Sequence, residues 1–391
     1  MISSIKRVKR HITGREKEFF AATSPGIESV CLNELKAFSG TFKDFAETQG
    51  GVQFAGRITD CFSANLNLRT ANRILMRVGE FKATNFMQLE KKLSGFPWEL
   101  YLPENSKPEI SISTRQSRLY HKDAIAGIFS ESMVKKLGSS RTPDKETDYF
   151  TDQQVFVRAS NDRFVVSLDS SGELLYRRGI KTHRSEAPLR ETTAAAILAV
   201  SGYDGTEPLI DPMCGSGTFS IEAAMISQNI PAGIFRKFSF MNWPCFEPKR
   251  WAYIKRKAES GIKYILTPRI FASDIDSQAC DSLLSCINKH EFLKTVEVEK
   301  KDFFDISSGS IKADKGLVVL NPPYGQRIGN RSDSIRLFHA VCDKLKKDFS
   351  GWKIALIYPD IALLNSIPFT LKAQTLFHGG QKIYLLYGQI T

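Results

Sequence analysis

The chain is poor in the patterns that build metal and disulfide frameworks. Its seven cysteines are scattered over 391 residues with no C-x-x-C pair, and its six histidines show no H-E-x-x-H spacing. Neither a disulfide scaffold nor a structural zinc site is supported, and chemistry without a metal is expected. No apolar run approaches the ~20 residues needed to cross a bilayer. The opening MISSIKRVKRHITGR is basic but lacks a following apolar segment or small-residue cleavage site, so a cytoplasmic address is expected. The glycine turn Asp211-Pro212-Met213-Cys214-Gly215-Ser216-Gly217 has neither the Gly-Lys-Ser/Thr ending of a phosphate loop nor the third glycine of a dinucleotide fingerprint. Triphosphates and pyrophosphates are therefore not its expected ligands.

What is present suits a globular chain: 42% of residues are hydrophobic, and the length implies two or three domains. A formal net charge of +12 favours a polyanionic partner, because basic surfaces displace condensed counterions from phosphates. In the first half, strands are expected at 19–23, 50–54, 77–81, 109–114, 154–158 and 163–169, with helices at 27–38, 61–73 and 124–137. Arg115, Arg118, His121 and Lys122 cluster at a strand-to-helix junction, a plausible phosphate-binding edge. A link is expected near Ser170-Ser171-Gly172. Beyond it, short apolar strands at 208–210, 269–273, 296–299, 317–320 and 352–358 alternate with helices, which predicts a parallel sheet covered on both faces, with room for an antiparallel terminal strand. Residues 375–380 read as a turn before a late strand at 382–386.

Asn321-Pro322-Pro323-Tyr324 follows the apolar run 316–320, placing an amide and an aromatic ring at the carboxyl edge of a buried strand. The two prolines hold this turn out of the helical region. An exocyclic amine on a nucleobase needs acceptors for its N–H bonds and a face for stacking. The Asn321 side-chain carbonyl and the Pro322 backbone carbonyl supply acceptors, and Tyr324 supplies the face. The pattern points to group transfer onto a base amine.

The glycine turn would let an adenosyl amino acid lie close to the backbone at Gly215 and Gly217, with Asp211 fixing its ammonium group. Asp274, at the end of the next strand, is placed to accept both ribose hydroxyls, with Asp276 in the same turn as its competitor. Asp302 follows the third strand and would accept the adenine amino hydrogen, while the adjacent Phe303 or Phe304 packs on the purine. A sulfonium donor already carries a good leaving group, so alignment and acceptors suffice.

These motifs resemble those of the bacterial THUMP-domain ribosomal RNA methyltransferases that modify guanine N2, including the N-terminal portion of the fused large-subunit enzyme. The resemblance covers nearly the whole chain and is strongest at residues 175–180, 187–192, 211–218, 240–243, 273–276 and 321–325. It implies an α/β chain with an N-terminal ferredoxin-like α+β portion (1–57), a THUMP RNA-binding region (58–169) and a Rossmann-like class I methyltransferase domain (170–391) with a mostly parallel seven-stranded sheet. S-adenosylmethionine is implied as donor. Arg190, Glu191 and Thr192 would frame the donor pocket, with Asp211, Met213, Gly215 and Gly217 on the methionine side. Asp274 would hold the ribose, and Asp302 and Phe303 the adenine. Asn321, Pro322 and Tyr324 would hold the target base. Arg115, Arg118, His121, Lys122, Arg177 and Arg178 would contact RNA.

The implied partner is structured RNA, 23S rRNA or a large-subunit assembly intermediate, with no membrane and no metal. Residues 225–268 match a family insertion whose Phe238, Phe240, Trp243 and Trp251 either pack or stack on bases. The fused enzyme's second methyltransferase domain is expected to be absent, since the chain ends soon after Tyr387. Transfer RNA, DNA adenine N6 and a non-catalytic role in ribosome assembly stay open as alternatives.

Overall fold

The computed structural model describes residues 6–38, 42–138, 153–181, 189–265, 267–311, 313–323, 331–358 and 360–391. Two compact units emerge. The first comprises Met1–Thr23, Leu32–Leu175 and Arg236–Lys257; the second comprises Ser24–Cys31, Tyr176–Phe235 and Ala258–Thr391.

The first unit is built on β1 (Lys17–Ala22), β2 (Lys43–Thr48), β3 (Gly51–Gly56), β4 (Arg73–Lys82), β5 (Glu109–Arg115), β6 (Gln154–Ser160) and β7 (Arg163–Asp169). They form one sheet in the order β2-β3-β1-β4-β7-β6-β5, antiparallel except for β5 beside β6. Because β1 pairs with β4, residues on both sides of position 57 share this sheet. The expected helix 61–73 is Ile58–Asn67 instead. Glu34 explains its early end: its carboxylate accepts from the backbone N–H of Arg69 at 2.6 Å and of Thr70 at 3.1 Å, drawing those groups away from helical bonding. The segment Arg236–Lys257 belongs to this unit through its aromatic residues. Phe240 stacks on Phe62 at 4.2 Å, and Phe238, Phe240 and Trp243 are buried. These rings are packing residues.

The second unit contains β8 (Leu209–Asp211), β9 (Ile270–Asp274), β10 (Val296–Lys300), β11 (Leu317–Leu320), β12 (Lys353–Tyr358), β13 (Lys372–His378) and β14 (Gln381–Gln389). Their order is β10-β9-β8-β11-β12-β14-β13. The expected parallel arrangement describes the five strands from β10 to β12 only. β14 runs antiparallel to β12 and β13, and over both sheets together the described pairings are mostly antiparallel. Residues 375–378, expected in a turn, extend β13, and the turn is Gly379-Gly380. The four residues of β11 are all buried, as a parallel strand covered on both faces should be. Their core includes Phe303, Phe338, Phe349 and Trp352.

Gly316, just before β11, fixes how closely these layers meet. A Cβ there would lie 2.4 Å from the Trp352 ring and 2.6 Å from the Pro208 carbonyl oxygen, while its own carbonyl accepts from Lys353 N–H at 2.9 Å. Gly316→Ala is expected to destabilise the protein by about 1–3 kcal/mol through overpacking. Urea unfolding measures this; a loss below about 0.5 kcal/mol would mean that Trp352 moves aside freely.

Candidate active site

Four carboxyl-terminal strand ends in the second unit, those of β8, β9, β10 and β11, carry residues expected at the site. From β8 the chain enters the glycine turn, where Gly215 (φ +52°) and Gly217 (φ +72°) adopt left-handed conformations and lead into the helix Thr218–Ser227. A side chain at Gly217 would also strike Leu283, so only glycine fits both the angle and the space. The turn is tied to β9: Cys214 N–H donates to the Ser273 carbonyl at 2.9 Å, and Gly215 N–H to Asp274 Oδ2 at 2.8 Å. Asp274 Oδ1 accepts from Asp276 N–H at 3.0 Å. Each Asp274 oxygen thus keeps acceptor capacity, and the residue is only half-buried. Asp276 caps the helix Ser277–Lys289 through Gln278 N–H. Of the two competitors, Asp274 is the one bound to the glycine turn.

Asp211 is almost fully buried, and its Oδ2 accepts from Ser220 N–H at 3.2 Å and Ser220 Oγ at 2.7 Å. Burial pushes its carboxyl up to about 7; the Ser220 bonds oppose the shift and the nearby Asp274 adds to it. The group anchors the helix start. Thr192 is likewise fully buried. Met213 is half-buried against the core.

Glu191 reaches the turn by a residue that the sequence reading passed over. Lys181 Nζ donates to Thr218 Oγ1 at 2.6 Å and Ser216 Oγ at 3.2 Å, and lies 3.6 Å from Glu191 Oε1. Burial raises the Glu191 carboxyl above its usual range, and Lys181 opposes that shift. Arg190 instead lies over the Tyr176 ring, 5.2 Å from its centroid.

Two expected contacts are corrected. Arg178, assigned to RNA, is buried and forms a two-pronged ion pair with Glu222, at 2.9 and 3.3 Å. A cation so enclosed serves the core. Phe303, assigned to the adenine face, is buried beside Phe349 in the core; Phe304 is the exposed ring. The short turn Phe303–Asp305, capped by the exposed Asp302 through Phe304 N–H, sends Phe303 inward. Arg177 is half-buried.

At the end of β11, Asn321 is half-buried, and its Oδ1 has no hydrogen-bond partner among the described residues. Pro322 is buried, and Tyr324 lies outside the described residues. In the first unit, Arg115, Arg118, His121 and Lys122 are all exposed between β5 and the helix Lys122–Leu137. Tyr120, 62% exposed, lies against His121 with ring centroids 4.2 Å apart, adding a stacking surface that the charge pattern alone did not single out. Among the described residues, no group of three or more His, Cys, Asp or Glu could hold a metal, and no helix is long and apolar enough to cross a membrane.

The raised Asp211 carboxyl has a signed consequence. The folded chain holds this proton up to about pH 7, whereas an unfolded carboxyl releases it near 3.8. The native state therefore binds more protons between those values, and stability falls as pH rises through that window. Asp211→Asn, which keeps an acceptor for Ser220, should be markedly less destabilising at pH 8 than at pH 5, by an upper bound of about 3 kcal/mol, since only the two pH units between 5 and about 7 separate the conditions. Urea titrations at both pH values test this; an equal cost at both would show that Asp211 does not titrate in the window.

The RMKL-like methyltransferase domain matches residues 178–375, and the RlmL ferredoxin-like domain matches residues 18–75. The ribosomal RNA large subunit methyltransferase K/L of Methylococcus capsulatus is 31% identical over 93% of this chain, which spans 50% of that relative. YpsC of Bacillus subtilis, named as a proposed RNA methyltransferase, is 32% identical over 81% of each chain. Among solved structures, SMU.472, a proposed methyltransferase in complex with SAH, superposes with a TM-score of 0.84 at 27% identity, covering 96% of this chain and 99% of its own. A predicted N6-adenine-specific DNA methylase from Listeria monocytogenes gives 0.83 at 26%, covering 96% and 97%. With the glycine turn, the aspartate at the end of β9 and the amide at the end of β11 all lying within or beside the matched domain, the chain belongs to the RMKL-like methyltransferase family.

Proposed function

We propose that this chain transfers a methyl group from S-adenosylmethionine to the exocyclic N2 amine of guanine in 23S rRNA. The observation that carries the reading is Asn321 Oδ1 at the end of β11, a buried oxygen with no hydrogen-bond partner among the described residues and of the acceptor type an amine N–H needs. The family, the K/L relative matched over nearly all of this chain and the SAH complex of SMU.472 support it. When bound, the donor supplies an electrophilic methyl on a sulfonium.

The residues present fit such a donor. Asp274 has free acceptor capacity for ribose hydroxyls beside the turn formed by Gly215 and Gly217, and the exposed Asp302 and Phe304 stand after β10 where an adenine would lie. Lys181 holds Ser216, Thr218 and Glu191 together, keeping the turn's shape constant. Asn321 and the Pro322 carbonyl orient the amine by accepting its hydrogens, directing the nitrogen lone pair towards the methyl carbon. Tyr324 supplies a face for the flipped base. Arg115, Arg118, His121 and Lys122, with Tyr120, hold the RNA. The three domains 1–57, 58–169 and 170–391 divide these tasks, and the reaction takes place in the cytoplasm.

The Listeria likeness favours a second reading, transfer to adenine N6 in DNA, because that amine offers the same hydrogens to Asn321. Purified chain, labelled donor and unmodified 23S rRNA should yield N2-methylguanosine; N6-methyladenosine as sole product would reject the guanine assignment. Asn321→Ala is expected to lower transfer by roughly 10²–10³-fold with RNA affinity unchanged within twofold. Retained transfer would remove Asn321 from the reacting centre. Asp274→Asn should weaken donor binding about tenfold or more, read by calorimetry, since charge-assisted hydrogen bonds are worth about 1.5–3 kcal/mol. Unchanged donor affinity would assign the ribose to another group.

A further inference from the structure

We propose that residues 6–17 form a folded basic hook that grips the phosphate backbone of the RNA, separately from the exposed cluster between β5 and the helix Lys122–Leu137; that the polyanion is RNA rests on the function proposed above. Lys6, Arg7, Lys9, Arg10, His11, Arg15 and Lys17 lie within this short stretch, which precedes the first residue of either matched domain. Its acidic residue Glu16 pairs with Lys43 at 2.8 Å, and Arg7 pairs with Glu99 at 3.0 Å. Lys6, Lys9, Arg10 and Arg15 are exposed and form no ion pair among the described residues.

The stretch is a structured element. Lys9–Thr13 is a wide helical turn closed by Gly14 N–H donating to the Lys9 carbonyl at 2.8 Å. Val8 and Ile12 are both buried, fixing the cations on the outer side. Like charges held this close repel one another. The half-buried His11 is held below its ordinary value, first by desolvation and then by Arg15, Arg10, Arg7 and Lys17. Lys17 is lowered as well, by burial and then by Arg15. A polyanion relieves that repulsion and gains from counterion release.

The disposition of apolar groups selects the partner. An amphipathic membrane-surface element presents apolar side chains beside its cations, whereas Val8 and Ile12 of the described stretch are turned inward. Phosphates along an RNA backbone require only charge and reach.

The test is the full-length variant K6Q/K9Q/R10Q/R15Q, with binding of an unmodified 23S rRNA transcript measured from 50 to 200 mM salt. The expected result is at least a tenfold loss of affinity at low salt and a log–log salt slope shallower by about 3, each of the four lost phosphate contacts contributing about 0.7–0.9. The charge-preserving variant K6R/K9R/R10K/R15K should bind like the parent, which separates lost charge from lost folding. Unchanged affinity and slope, or a loss seen only with phosphatidylglycerol vesicles, overturns the proposal. Binding is read without methyl transfer. A parent chain that binds through these charges but methylates no RNA supports the hook and removes the catalytic reading. Methylation with an unaltered salt slope in the glutamine variant does the reverse.

Discussion

The reversal of strand order beside β8 is the constraint from which the candidate site follows. From β8 the chain builds outward through β9 and β10, then returns to the opposite side of β8 for β11 and β12. Loops leaving β8 and β11 consequently diverge, and a crevice opens beyond the carboxyl ends of the strands. The glycine turn leaves one side of that crevice and Asn321 the other, with Asp274 one strand further along. Gly316 sets the close approach that fixes the height of β11, so the position of the amide depends on a hydrogen atom where any other residue would carry a carbon. The topology brings these groups together; the turns determine what each can reach.

Buried charge supports that arrangement. Asp211 receives two bonds from Ser220 and thereby fastens the end of β8 to the following helix. Glu222, one turn along the Thr218–Ser227 helix from Thr218, takes up Arg178, whose neighbour in sequence, Lys181, returns to Ser216 and Thr218. Removing one partner of a buried pair leaves an uncompensated charge, which is far more costly than replacing both with apolar groups. The pairs therefore specify a register between residues 178–181 and the helix more than they add stability. A register error here would displace the glycine turn.

Much of this was legible in the sequence because it was local. The apolar run before Asn321 gave a buried strand, and the aspartates at successive strand ends marked one edge of a sheet before any pairing was known. What was illegible depended on distant partners. Arg178 sits in a basic run and reads as a surface charge; Glu222, 44 residues away, makes it a core residue. Phe303 and Phe304 are chemically identical neighbours, and only the Asp302 cap and the short turn it starts decide which ring enters the core. The helix expected to continue to residue 73 stops because Glu34, from another element, captures the next amides. Periodicity reports which face is apolar, while long-range hydrogen bonds decide where an element ends.

On the function proposed above, the amide at the end of β11 would read an amine, and that limits what it could select. Guanine N2 and adenine N6 both present N–H donors, so Asn321 would serve the reaction without distinguishing the bases. The difference lies at the adjoining ring nitrogen, which is a donor N1–H in guanine and an acceptor N1 in adenine. A site that prefers guanine must place an acceptor there, where adenine would leave a buried polar group unsatisfied at a cost of about 1–3 kcal/mol. The chemistry of methyl transfer and the choice of base thus belong to different groups in the crevice. On this reading the turn supplies the acceptors common to both amines, and selectivity falls to whatever meets the edge beside them.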